Sequence, residues 1–266
     1  MLSRDDYLVV IGDNFPNKTI RQNYQKRPTI NFDVPYDYSS VLQYYDVFSD
    51  TNPRYMLTKD VRFQYQMGSS DGHLSFMNLK LVNRILSCDK LNLKNCGKDN
   101  KDPCLNQGYL GASCKCVCPP GTKGDNCETL EMSYNDALIK MKSPETQDIT
   151  EPNTVVKTIG YPKAEENTWR LYTLVLKADK CKRAVLTFED FQLSRRSTNG
   201  RCMRDALEIR TKFFKGDYDN FCGEDIKKGQ VFKSEENDLI LHVRSVKPKD
   251  NRGWKANFTI EAIKNW

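Results

Sequence analysis

The chain has 266 residues, with 41 Lys and Arg against 35 Asp and Glu and a net charge of +6 at pH 7. That length favours two or three domains, and no stretch approaches the roughly 18 apolar residues of a membrane-spanning helix. Ten Cys, 13 Tyr and 12 Phe exclude a disordered tail. The mild, dispersed positive excess excludes a nucleic-acid footprint. Two histidines, His73 and His242, are too few for a zinc hydrolase built on histidine ligands within this chain.

Residues 1–90 contain one cysteine, Cys88, and are rich in Tyr, Asn and Asp. Ser75 can cap a helix over Phe76–Leu86, in which Leu79, Val82 and Leu86 recur at helical spacing. Residues 91–130 hold six cysteines, Cys96, Cys104, Cys114, Cys116, Cys118 and Cys127, among Gly and Pro. So small a segment cannot sustain a core without cross-links. A zinc site is the bland alternative, but C-x-C-x-C lacks C-x2-C knuckles and no histidine lies nearby.

Disulfides need an oxidising compartment. The N-terminus, MLSRDDYLVVIGDNF, carries early acids, and its apolar run from Tyr7 to Ile11 is too short for a signal sequence. The two facts agree if the chain is the rear part of a longer secreted precursor, which is the expectation. A polar stretch over Lys142–Asn153, with Pro144 and Pro152, reads as a loop or linker. From Val155 onward VVKTIG, WRLYTLVLK, AVLTFEDF, ALEIRT, LILHV and KANFTIEAI read as successive strands. In the last, Ala256, Phe258, Ile260 and Ala262 alternate with Lys255, Asn257, Thr259 and Glu261, one face in and one out. Such spacing predicts a β-sandwich.

Three motif sets carry resemblances. SRDDY (Ser3–Tyr7), PYDYSSVLQY (Pro35–Tyr44) and LSFMNLKLVNRILSC (Leu74–Cys88), in that order, resemble the C-terminal half of the catalytic domain of astacin-type zinc metalloendopeptidases. In that family the second motif contains a Met-turn beneath the zinc. Its last tyrosine ligates zinc or swings away to donate a hydrogen bond to the developing oxyanion. Tyr44 matches this tyrosine, as transition-state stabiliser and possible zinc ligand of the full enzyme. Leu42 takes the place of the turn's Met, an apolar support of similar volume, and Gln43 that of its His. The family's H-E-x-x-H-x-x-G-x-x-H helix, which supplies the metal ligands and general base, has no match here. Neither His73 nor His242 begins a substitute. The resemblance places that helix upstream, so zinc is expected in the full-length enzyme and not in this chain.

The segment CLNQGYLGASCKCVCPPGTKGDNCE (Cys104–Glu128) resembles an EGF-like module. That likeness implies Cys96–Cys114, Cys104–Cys116 and Cys118–Cys127 pairs, although six cysteines permit many other pairings. The stretch Cys202-Met203-Arg204-Asp205-Ala206-Leu207-Glu208-Ile209, with Phe221-Cys222-Gly223 after it, resembles a CUB domain, implying a Cys202–Cys222 bridge. Asp205 matches one acid of the calcium site found in some CUB domains. Ser194 and Ser245-Val246 stand where the other acids would be, leaving Asp205 a remnant. Cys181 is left odd, and the family's partner for Cys88 lies in the absent N-terminal part.

The expectation is therefore a multidomain chain, α+β plus all-β: half of a metzincin catalytic domain (1–90), an EGF-like module (91–130) and a CUB β-sandwich (131–266). Half a domain leaves Val9, Val10, Ile11, Phe32, Val41, Leu42 and Phe48 partly uncovered. Two functions are implied. One is a fragment of a secreted, extracellular zinc metalloendopeptidase acting on protein substrates. The other is a non-catalytic EGF/CUB molecule binding extracellular protein ligands, with a relic peptidase segment. Sequons at Asn17 and Asn257 are compatible with secretion.

Overall fold

A computed structural model describes residues 2–15, 17–46, 54–68, 72–98, 101–142, 146–163, 169–198, 200, 202, 204–212, 219–246 and 251–263. In chain order 3-10 helices at Leu2–Asp6 and Gly12–Asn14 flank strand β1 (Leu8–Val10), followed by helix α1 (Lys18–Asn23) and strand β2 (Met56–Thr58). A 3-10 helix (Val61–Gln66) leads to α2 (Phe76–Ile85) and α3 (Cys88–Asn95). Four two-residue strands follow, β3 (Tyr109–Leu110), β4 (Cys116–Val117), β5 (Thr122–Lys123) and β6 (Thr129–Leu130), then α4 (Tyr134–Lys142). The chain divides into two compact units. Met1–Val10, Pro16–Asp46 and Thr58–Lys142 form the first; Ile11–Phe15, Val47–Leu57 and Ser143–Trp266 form the second.

In the first unit, α2 begins where the sequence places its cap. The Ser75 hydroxyl accepts the Asn78 N–H at 3.0 Å, and Asn78 Oδ1 accepts the Ser75 N–H at 3.2 Å, a reciprocal capping box worth about 1 kcal/mol. Met77, Asn78 and Lys80 are the side chains this helix buries. Leu79, Val82 and Leu86, the apolar repeat seen in the sequence, stand 41%, 43% and 67% exposed. Helical geometry requires this: with Met77 and Lys80 turned inward, positions 79, 82 and 86 lie on the opposite side. Lys80 Nζ donates to the carbonyl of Gln107 at 3.0 Å and to its Oε1 at 2.6 Å. Burial, reinforced by Arg84, pulls the Lys80 ammonium below its ordinary pKa.

Among the apolar residues expected to be uncovered, Phe32 is 37% and Leu42 74% exposed. Val9, Val10, Ile11 and Val41 are half-buried, and Phe48 lies outside the described residues. The cysteine-rich segment is closed by Cys96–Cys114, Cys104–Cys116 and Cys118–Cys127. Hairpins β3–β4 and β5–β6 supply the regular pairing. Each bridge contributes about 2–4 kcal/mol, which so thin a core needs.

The second unit is a sandwich of β7 (Thr146–Ile149), β8 (Thr154–Lys157), β9 (Trp169–Lys177), β10 (Lys182–Gln192), β11 (Ala206–Arg210), β12 (Asp219–Phe221), β13 (Val231–Lys233), β14 (Asp238–Val246) and β15 (Gly253–Ala262). One sheet has the order β13-β10-β15-β8 and the other β12-β11-β14-β9-β7. Pairing is antiparallel throughout except for β7 on β9. β7 corrects the reading of Lys142–Asn153 as a plain linker. Its polar TQDI forms an edge strand, where one side of the ladder stays in water and apolar alternation is not required. Between the sheets, Phe188, Trp254, Ala256 and Phe258 meet Leu174, Leu176, Leu207, Ile209 and Leu241. Burying each large side chain contributes about 1.5–3 kcal/mol. A Cys202–Cys222 bridge completes this unit, while Cys88 and Cys181 are free.

Candidate active site

The segment Pro35–Tyr45 is a run of turns dictated by its short polar side chains. Asp37 Oδ1 accepts the Ser39 N–H at 2.9 Å, and the Asp37 carbonyl accepts the Ser40 N–H at 3.2 Å. The Ser40 carbonyl accepts from Gln43 N at 2.9 Å, and the Ser40 hydroxyl accepts from Leu42 N at 3.2 Å. The start of α2 then grips the turn. Ser75 Oγ donates to Asp37 Oδ2 at 2.5 Å, Asn78 Nδ2 donates to Ser40 Oγ at 2.8 Å, and Asn78 Oδ1 accepts the Val41 N–H at 3.1 Å. Sequence reasoning missed this network; its signal was Asn at the third position after the Ser75 cap.

The tyrosines of the segment have different fates. Tyr36 and Tyr38 are buried, Tyr36 stacked on Tyr7 at 4.6 Å and Tyr38 on Phe63 at 4.4 Å. Burial raises both phenols far above their ordinary pKa, so they remain neutral donors. Tyr38 Oη donates to the Tyr7 carbonyl at 3.2 Å, and Tyr36 Oη donates to Gln43 Oε1. Gln43 Nε2 passes the restraint on, donating to the Tyr44 carbonyl at 3.0 Å. Tyr44 itself is 57% exposed, its ring 5.5 Å from that of Tyr24.

Arg4, of the SRDDY motif, donates to the Tyr24 carbonyl and forks onto Asp5 Oδ1 at 2.8 and 3.0 Å. Lys26 pairs with Asp5 at 2.6 Å, and this hydrogen bond is the main reason its carboxyl lies below the usual range. On the other side of Tyr44, Tyr45 packs on the backbone of Gly68, where φ is +69°.

What the turn can do follows from this. A solvent-reaching phenol on a hydrogen-bonded backbone can donate to a developing oxyanion. Zinc fits less well, because Tyr44 offers one oxygen where a catalytic site takes about three protein ligands. His242 is buried in the sandwich, its Nδ1 2.8 Å from Thr173 Oγ1. Among the described residues, Cys202, Cys222 and Asp225 cluster at ligand spacing, but the two sulfurs are bonded to each other. Asp205 is 1% exposed and accepts from Ser194 Oγ at 2.5 Å and from Asn251 Nδ2.

Fold and site define a chain in which a hydrogen-bonded, tyrosine-bearing turn precedes a β-sandwich. The model of the astacin peptidase family matches residues 2–87, and the CUB domain model matches residues 145–258. Protein SpAN of Strongylocentrotus purpuratus is 30% identical over 263 residues, covering 97% of this chain and 39% of that protein. Blastula protease 10 of Paracentrotus lividus is 28% identical over 263 residues, with 97% and 40% covered. A solved CUB1-EGF-CUB2 structure of human MASP-1/3 aligns at 20% identity over 43% of this chain and 41% of that one, with a TM-score of 0.35. The chain spans about two fifths of the length of these curated relatives. It is an astacin–CUB protein.

Proposed function

We propose that the chain is the rear part of a secreted zinc metalloendopeptidase, in which Tyr44 stabilises the transition state of peptide hydrolysis and Leu42 occupies the Met-turn. The zinc helix lies outside these 266 residues. The proposed domains are a half peptidase domain (1–90), an EGF-like module (91–130) and a CUB domain (131–266), the last two contacting extracellular proteins. One observation carries the reading: Tyr36, Gln43 and the Asn78–Ser40 contact hold the backbone at Tyr44 while leaving the residue 57% exposed. Tyr44 differs in this from the buried Tyr36 and Tyr38, and the matched astacin segment supplies the chemistry.

The test is expression of the chain joined in frame to its upstream sequence. Chelator-sensitive cleavage of casein is expected there, and none from the 266 residues alone. Tyr44→Phe should lower kcat about 100-fold, the usual scale for one oxyanion donor, with little change in KM. An unchanged kcat would remove Tyr44 from the mechanism. Absence of any chelator-sensitive activity in the extended chain would favour the non-catalytic EGF/CUB function.

A further inference from the structure

The two outer faces of the sandwich differ in kind. On the four-stranded sheet the outward side chains include charged, partly exposed ones. Arg183 Nε pairs with Glu261 Oε1 at 2.7 Å, and Lys233 Nζ pairs with the same oxygen at 2.9 Å. That is how a sheet facing water is built. On the five-stranded sheet, Leu207, Ile209, Leu241 and Val243 enter the core, so Glu208, Arg210, Ile240 and His242 point outward. None of these four is more than 3% exposed.

Arg54 meets this covered face. Its Nε lies 3.2 and 3.1 Å from the two Glu208 oxygens, and its Nη2 lies 2.5 Å from Oε2. Arg210 Nε donates to Glu208 Oε1 at 2.7 Å. Arg54 is 7% exposed, and Tyr55, Met56 and Leu57 after it are 2% or less. Behind them, Ile11 N donates to the Tyr55 carbonyl at 2.8 Å and Asn14 Nδ2 to the Arg54 carbonyl at 2.8 Å. Phe15 stacks on Tyr55 at 4.7 Å. These residues fall within the astacin match, whereas Glu208 falls within the CUB match.

We infer that the outer face of the five-stranded CUB sheet is an internal docking surface, occupied by Ile11–Phe15 and Arg54–Leu57 of the astacin-type segment and keyed by Arg54 on Glu208. Area supplies the adhesion and the ion pair supplies the register. A buried guanidinium with no acid, or a displaced segment, would leave charge in a dry site. External partners of the CUB domain are therefore confined to its other surfaces.

The full 266-residue chain tests this. Arg54→Met and Glu208→Gln should each lower the unfolding midpoint, read by fluorescence of the buried Trp254, by about 10 °C. The double variant should lose much less than the sum, because both changes remove one interaction. Strict additivity, or no shift for Arg54→Met, would overturn the proposal. Phenylglyoxal labelling of the unmutated chain needs no variant to fold. Arg54 should stay unmodified while exposed Arg195 reacts, and equal labelling of the two would also overturn it.

Discussion

Asn78 donates its side-chain amide to the Ser40 hydroxyl at 2.8 Å and takes the Val41 N–H on its oxygen at 3.1 Å. One side chain thus joins the start of α2 to the turn that carries Tyr44. Asn78→Ala leaves the Val41 and Ser75 N–H groups without that acceptor. A loss of about 1–3 kcal/mol is expected in urea unfolding of the first unit, and a value near zero would show that the turn holds itself.

Gly68 has φ +69°, and a Cβ there would sit 2.6 Å from Tyr45 Cδ1 and 2.8 Å from its Cα. Gly68→Ala should destabilise by about 2 kcal/mol or more, combining left-handed strain with overlap. Gly72, at φ +85° with nothing within 4 Å, is the control. Its Ala variant should show only the backbone cost, about 1 kcal/mol.

The buried ionic cluster makes the second unit sensitive to acid. Burial, then Arg210, hold His242 well below its ordinary 6.5, so the unfolded chain binds a proton there before the folded one does. Stability should therefore fall as pH drops below about 6.5, by at most about 1.4 kcal/mol per pH unit. Burial would raise Glu208, but Arg54 and Arg210 overcome it and hold the carboxyl far below its ordinary 4.5. Its contribution is present above that value and is lost as pH falls toward the folded pKa. Chemical denaturation at pH 7, 6 and 5 should show the first slope, and His242→Gln should flatten it.

The thiols give a prediction by counting. Alkylation of denatured, unreduced protein should modify Cys88 and Cys181 and leave the other eight cysteines in four bridges. In native protein the exposed Cys181 should react faster than the half-buried Cys88. A mapped Cys88–Cys181 bridge would contradict the structure.

Local signals in the sequence determined what depends on near neighbours. Ser75 and Asn78, three residues apart, cap a helix whatever surrounds it, and the alternation Ala256, Phe258, Ile260 sets the pleat and inner face of β15. The tertiary structure decided which faces find cover. Leu79, Val82 and Leu86 carry a helical period, but period states only that they share a side, and among the described residues that side is the outer one. Thr146–Ile149 lacks the apolar pattern of a strand because an edge strand is recruited by its neighbour's free backbone groups. Glu208 belongs to a legible motif, yet nothing local links it to Arg54, 154 residues away. A buried carboxylate needs a cation, and only the folded chain determines which one arrives.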